Sequence, residues 1–280
     1  MKRFIHFSMT RAALATLAGV TALAACTHAA AADADAADTA GTRTRVILVG
    51  DSTMATRSGY GDALCDRFTA QVTCVNLARG GRSTKSFREE GRWDEVQRLL
   101  RDGAAFDNTY VLVQFGHNDQ PGKPGRSTDF VTEYPANMAR YAAETKAAGG
   151  VPVLVTPLTR RTFKGTYLHN DLAPWAEETR RAAKREGATL LDLNADSYAA
   201  VQAMGQAGAD TLAVAPPPAA PPANATTDLN KLEPAGAAKS AFDRTHVGAK
   251  GADFFARMVE REMVQALPAT GALFKDGGRP

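Results

Sequence analysis

The chain has 280 residues, enough for one α/β domain with a substantial core, and a composition of 44% hydrophobic and 22% charged residues excludes a fibrous or wholly disordered chain. Its formal net charge of +3 is uneven: Lys2, Arg3 and Arg11 lie in the first 25 residues, Asp33, Asp35 and Asp38 follow, and because these cancel, +3 also describes the chain from Arg43 onward. So mild a balance excludes nucleic-acid binding by bulk charge and tolerates an acidic substrate.

The N-terminus reads as an export signal. Met1-Lys2-Arg3 leads through Arg11 into an apolar run, Ala12 to Ala25. That run is shorter than the roughly 20 residues that span a bilayer, and with its basic flank it fits the apolar part of a cleaved signal peptide over residues 1–25 rather than a buried amphipathic helix. Leu23-Ala24-Ala25-Cys26 resembles a bacterial lipobox, in which the cysteine carries lipid and becomes the mature N-terminus. Ordinary cleavage is the competitor, because small residues continue to Ala32. Thr27 rather than Asp follows the cysteine, so nothing signals inner-membrane retention. The expected destination is the periplasm or outer membrane as a lipoprotein, or the medium. Residues 26–42, Ala- and Asp-rich, read as a flexible tether.

From Arg43 to about residue 268 strands and helices alternate. Val46–Val49 is a short apolar strand ending at Gly50, and a helix over Gly61–Ala70 follows. Val72–Leu77 is the second strand, Trp93–Arg101 a helix, Tyr110–Phe115 the third strand, and Pro135–Ala148 a helix closed by Gly149-Gly150. Val153–Val155, a helix over Pro174–Glu186, Thr189–Asp192 and a helix to about Met204 complete a five-strand pattern. Residues 206–240, with Pro216-Pro217-Pro218 and Pro221-Pro222, read as a surface excursion with polyproline character. A last helix covers Ala249–Leu267, and 269–280 reads as a loose tail. β-Branched strands separated by helices predict an α/β fold with a parallel sheet covered on both faces, whose ligands bind beyond the carboxyl ends of the strands. If Cys26 carries lipid, Cys65 and Cys74 remain as a pair that an oxidising compartment can bridge; two buried thiols are the alternative.

Four blocks carry chemistry, and three follow strands. In Gly50-Asp51-Ser52-Thr53 a tight turn lifts a serine hydroxyl above the sheet edge, although Asp51 or Ser52 also suits a helix N-cap. Asp243-Arg244-Thr245-His246 precedes the last helix: a serine needs a base, histidine is one near neutral pH, and an aspartate three residues upstream can fix its tautomer. A capped turn with a solvated histidine is the bland reading. Gly116-His117-Asn118-Asp119 offers an amide donor for an oxyanion, and Gly81 in Ala78–Ser83 lets a backbone N–H approach a reacting carbon; either is also an ordinary βα turn.

In this order the blocks resemble the SGNH (GDSL-like) hydrolase superfamily. The resemblance implies Ser52 as nucleophile, His246 as base, Asp243 as its orienting acid, and an oxyanion hole from the Ser52 and Gly81 backbone amides with the Asn118 side chain. Gly50-Asp51-Ser52-Thr53-Met54-Ala55, Gly81–Phe87 with Glu90-Gly91-Arg92, Gln114–Asp119, and Thr156-Pro157 with Arg160-Arg161 are similar to the rhamnogalacturonan acetylesterase family. That implies a flavodoxin-like three-layer α/β/α sandwich, no metal or other cofactor, and removal of acetyl groups from pectin. The expected partner is therefore an acetylated acidic polysaccharide, bound by a monomer that a lipid anchor ties to the membrane.

Arg82, Arg160 and Arg161 fall in loops on the expected active face, where arginine forks suit uronate carboxylates; holding local loop structure is their alternative role. Trp93, Trp175, Tyr167 and Phe163 are candidates for stacking on sugar or for the core. Three other functions compete. A lipase or thioesterase shares the triad and needs a long-acyl pocket. A non-catalytic carbohydrate-binding lipoprotein does not need all four blocks. A metal hydrolase would gather His117, Asp119, Asp243 and His246, without any HExxH or paired Cys/His spacing to support it.

Overall fold

The computed structural model describes residues 43–215 and 242–277. The apolar leader, Cys26, the 26–42 stretch and the proline clusters at 216–222 lie outside the described residues.

In chain order the elements are β1 (Thr44–Gly50), α1 (Gly61–Cys65), β2 (Val72–Asn76), α2 (Ser86–Glu89), α3 (Arg92–Arg101), β3 (Asn108–Gln114), α4 (Glu133–Ala147), β4 (Val151–Val155), β5 (Phe163–Lys164), β6 (Tyr167–Leu168), α5 (Ala173–Glu186), β7 (Thr189–Leu191), α6 (Leu193–Asp210) and α7 (Ala249–Ala266). The main sheet is parallel throughout in the order β2-β1-β3-β4-β7, and β5 and β6 form a separate antiparallel hairpin.

The pleat explains the three layers. Along β1, Val46 and Leu48 join a core with Leu64 of α1, Val201 of α6 and Phe255 and Val259 of α7. Ile47 and Val49 point the other way, into a core with Val96 of α3, Tyr141 of α4 and Ala182 of α5. Every residue of β1 is buried, and each aliphatic side chain there contributes about 1.5–3 kcal/mol. β1 lies between β2 and β3, and order inverts beside it, so the loops after β1, β2 and β3 converge on one crevice at the carboxyl edge.

Several elements differ from the expectation. The first helix stops at Cys65, five residues earlier than periodicity suggested, where Cys65 is bonded to Cys74 of β2 with their Cα atoms 5.4 Å apart. Residues 206–210 do not open a surface excursion: α6 kinks at Gly205, whose φ of 66° and ψ of 173° favour glycine, and resumes to Asp210. Nor does the chain loosen at 269. A 3₁₀ helix at Pro268–Leu273 brings Phe274 onto Phe68, ring centroids 4.5 Å apart, and Thr69 N–H donates to Leu273 O at 2.8 Å. Trp93 and Trp175 are core residues, packed edge-on against Tyr141 and Tyr134. Tyr167, at 75% exposure, stands on the β5–β6 hairpin.

Candidate active site

Ser52 sits on the turn that leaves β1. Asp51 supplies the cap: its Oδ1 accepts from Thr53 N–H at 2.9 Å and Thr53 Oγ1 at 2.8 Å, and its carbonyl accepts from Met54 and Ala55 N–H. Beneath, Tyr60 donates to Gln114 Oε1 at 2.7 Å and Gln114 Nε2 donates to Thr53 Oγ1 at 2.6 Å, all of it buried. With these bonds made by its neighbours, the half-buried Ser52 has its hydroxyl left for the cleft.

The second block stands beside it. A Cβ on Gly80 would lie 3.7 Å from the Ser52 Cβ, and Gly81 has a φ of +80°, which glycine adopts without strain. Asn118 Nδ2 donates to Arg82 O at 3.0 Å, leaving a second amide hydrogen. Asp119 fixes the same loop: Oδ1 accepts from Thr84 N–H at 3.0 Å, Thr84 Oγ1 at 2.5 Å and Thr128 Oγ1 at 3.2 Å. Burial pushes the Asp119 carboxyl up to about 7 even against those donors. His117 is also buried, with Nδ1 3.3 Å from Asp51 Oδ2. The two atoms do not meet the geometry of a hydrogen bond. Burial raises the Asp51 carboxyl, but His117 and the Thr53 donors outweigh it and hold the group below its ordinary value.

The third part comes from far along the chain. His246 Nδ1 meets Asp243 Oδ2 at 2.8 Å, while Asp243 Oδ1 accepts from Thr245 N–H at 2.9 Å and His246 N–H at 3.0 Å. Burial raises this carboxyl too; the His246 and Thr245 bonds more than offset it and leave the group low, hence ionised. Ser52, His117, Asn118, Asp243 and His246 line one cleft of about 600 Å³. Among the described residues Ser52 and His246 share no direct hydrogen bond, as is common before substrate closes a site.

Two of the three arginines expected to meet substrate are engaged elsewhere. Arg161 is fully buried, and its guanidinium donates to the backbone carbonyls of Asp243, Thr245 and His246 at 3.3, 3.4 and 2.7 Å. A tight turn points several carbonyls inward, and a buried fork satisfies them together. Arg161 therefore carries the Asp243–His246 turn and is not open to a carboxylate. Arg82 donates through Nε to Glu90 and through Nη1 to Gly80 O at 2.7 Å, and does not line the cleft. Arg160 does line it, with one nitrogen paired to Asp171.

Supports of this kind escaped sequence reasoning because they act across the chain. Arg244 pairs with Asp210 at 2.9 Å, and Gln206 Nε2 donates to Asp210 Oδ1 at 2.6 Å. Ser58 bridges both halves: its Oγ donates to Ser52 O at 2.8 Å and its carbonyl accepts Val247 N–H at 3.0 Å. Lys123 also lines the cleft, and only its place four residues beyond Asp119 could have flagged it. Among the described residues no group of three or more His, Cys, Asp or Glu side chains gathers as metal ligands do.

A family model described as GDSL-like Lipase/Acylhydrolase matches residues 46–259, from β1 into α7. The chain belongs to this family. Like its members it is a carboxylic ester hydrolase. This GDSL-like hydrolase is 27% identical over 239 residues to a Bacillus subtilis protein named "Probable rhamnogalacturonan acetylesterase YesY", covering 82% of this chain and 98% of that one. It is 32% identical over 169 residues to rhamnogalacturonan acetylesterase RhgT of the same organism, covering 58% and 69% of the two chains. In fold it resembles the crystal structure of B. subtilis YxiM, with a TM-score of 0.61 at 22% identity, covering 83% of this chain and 58% of that longer one. The acetylxylan esterase Axe2 of Geobacillus stearothermophilus gives a TM-score of 0.53 at 16% identity, covering 80% and 94%.

Proposed function

We propose that this GDSL-like hydrolase is a carbohydrate acetylesterase acting on an acetylated acidic polysaccharide of the pectic rhamnogalacturonan type, with Ser52, Asp243 and His246 as its triad. The observation that carries the reading is one polar cleft in which Ser52, Asn118 and the Asp243–His246 pair meet Lys123 and Arg160. Among the described residues Phe242 is the one large apolar side chain lining it, which favours an acetyl group over a long acyl chain. The similarity to two rhamnogalacturonan acetylesterases points the same way.

In this mechanism Asp243 holds the His246 Nδ1–H, so that Nε2 takes the Ser52 proton as Oγ attacks the acetyl carbonyl. The negative oxygen is received by the Ser52 and Gly81 N–H groups and the spare Asn118 amide hydrogen. The C–O bond to the sugar breaks, His246 returns the proton to the sugar hydroxyl, and an acetyl-Ser52 remains. Water, deprotonated by His246, releases acetate and restores the serine. We further propose that the chain works outside the cytoplasm, tethered through Cys26; the Cys65–Cys74 bond suits an oxidising compartment.

The test is acetate release by the full chain and by Ser52→Ala from acetylated rhamnogalacturonan, acetylated xylan and a long-chain ester. Rapid, Ser52-dependent release from the pectic polymer is the expected result. Ser52-dependent hydrolysis of the other esters alone would remove the pectic substrate, and equal activity of the two proteins on every ester would remove the triad.

A further inference from the structure

Charges around the cleft nearly all come in pairs. Arg160 faces Asp171, which Gln120 also binds; Arg244 faces Asp210; Asp243 is taken by His246. On the loop from β3 to α4, Lys123 and Arg126 have no carboxylate or hydrogen-bond acceptor for their side chains among the described residues; Arg57 and Arg79, likewise without one, are exposed and do not line the cleft. Arg126 reaches across the second block, its Nη1 lying 3.4 Å from where a Cβ on Gly81 would be. Lys123 lines the cleft with Ser52 and Asn118 and also lines an adjoining cavity of about 380 Å³ beside Lys85.

The loop holds these cations by design of its backbone. Ser127 Oγ accepts from Lys123 N–H at 2.8 Å and donates to Gln120 O at 2.8 Å, and Ser127 N–H donates to Lys123 O at 2.9 Å. Neither side chain contributes to that scaffold. Burial, and then the like charges of Arg160 and Arg126, lower the Lys123 ammonium below its ordinary value; Asp51 and Asp171 pull the other way without cancelling this. A partly buried ammonium pressed by two other cations is an unfavourable arrangement that an arriving anion relieves.

We propose that Lys123 and Arg126 form an anion-binding subsite beside Ser52 that takes the carboxylate of a uronate residue next to the acetylated sugar. This deepens the acetylesterase reading and rests on it for the substrate class. The subsite explains how an acidic chain is told from a neutral one: the neutral chain leaves two cations uncompensated, and the acidic chain neutralises them.

The experiment uses the full chain, p-nitrophenyl acetate as reporter, and trigalacturonate as competitive inhibitor with neutral xylotriose as control. Trigalacturonate should inhibit at least about tenfold more tightly than xylotriose, as one or two charge-assisted contacts allow, and salt should erode the difference. Lys123→Ala/Arg126→Ala should raise the inhibition constant for trigalacturonate about tenfold relative to that for xylotriose, and Lys123→Arg should restore most of it. Equal inhibition of the wild-type protein by the two sugars, or an unchanged ratio in the double variant, overturns the subsite. The salt dependence of the wild-type protein keeps the test decisive if the double variant does not fold. Lys123-dependent inhibition without acetate release from acetylated rhamnogalacturonan would remove the pectic substrate and leave the subsite standing.

Discussion

The Ser52 turn and the Asp243–His246 turn, proposed to act in one reaction, are held in place by different means. Around Ser52 the supports are buried and mostly near in sequence: Asp51 and Thr53 close the turn and Tyr60 lies beneath, with Gln114 of the adjacent strand β3 the one distant member. Around His246 they come from afar. The Asp243 side chain is 50% exposed, and the turn is held by Arg161 on the loop after β4, Asp210 at the end of α6 and Ser58 beyond the nucleophile. Ser52 is placed by its own strand and the one beside it, and His246 by the packing of several elements. Damage to the first should be chemical, whereas damage to the second should arrive through loss of order.

The contrast can be broken most sharply at Ser52. Ser52→Ala should cut kcat by about 10⁴-fold or more with an unchanged melting temperature, read by steady-state kinetics and calorimetry. Asn118→Ala should lower kcat about 100- to 1000-fold with KM largely kept; near-normal turnover in a protein of lower stability would make Asn118 structural instead. Removing the disulfide that ties α1 to β2, with Cys65→Ala/Cys74→Ala, should cost about 2–3 kcal/mol in denaturant unfolding and leave kcat nearly intact. Arg161→Met, on the histidine side, should cost about 1–3 kcal/mol and lower kcat together, because three carbonyls lose a donor. A rise in KM confined to acidic substrates would return Arg161 to the substrate.

The smallest effect is in pH. Asp119, raised to about 7, binds a proton more readily folded than unfolded, so its stabilisation is complete below about 4 and is lost as pH rises toward 7. Asp243, held low, works in reverse: its contribution is present above its unfolded value and fades as pH falls through its lowered one. Asp119→Asn should flatten the fall in melting temperature between pH 4 and 7 without touching the acid limb.

What sequence reasoning reached follows the same division. Val46–Val49, Tyr110–Phe115 and Val153–Val155 announce buried strands because each is a short, mostly apolar run rich in valine or isoleucine, and the residues directly after them inherit their place at the sheet edge. Arg161 was misassigned because an arginine that forks onto three carbonyls has the same one-dimensional signature as one that forks onto a uronate. The extension of α6 past Gly205 was hidden by a glycine that ends most helices but here only bends one. Phe274 was read as loose because its partner, Phe68, is 206 residues away. Among the described residues the Lys123 and Arg126 side chains have no partner, and a missing partner leaves no mark on a sequence.

The Ser58 bridge has a consequence in time. Ser52 O and Val247 N–H are joined through one residue, although almost the whole domain separates them along the chain. Contacts of such high sequence separation form late, after the intervening elements have packed. Ser52 leaves the ribosome long before His246 and Val247 do. On the proposed triad, hydrolysis therefore requires the segment that carries Asp243 and His246 to be made and docked against the Ser52–Ser58 loop.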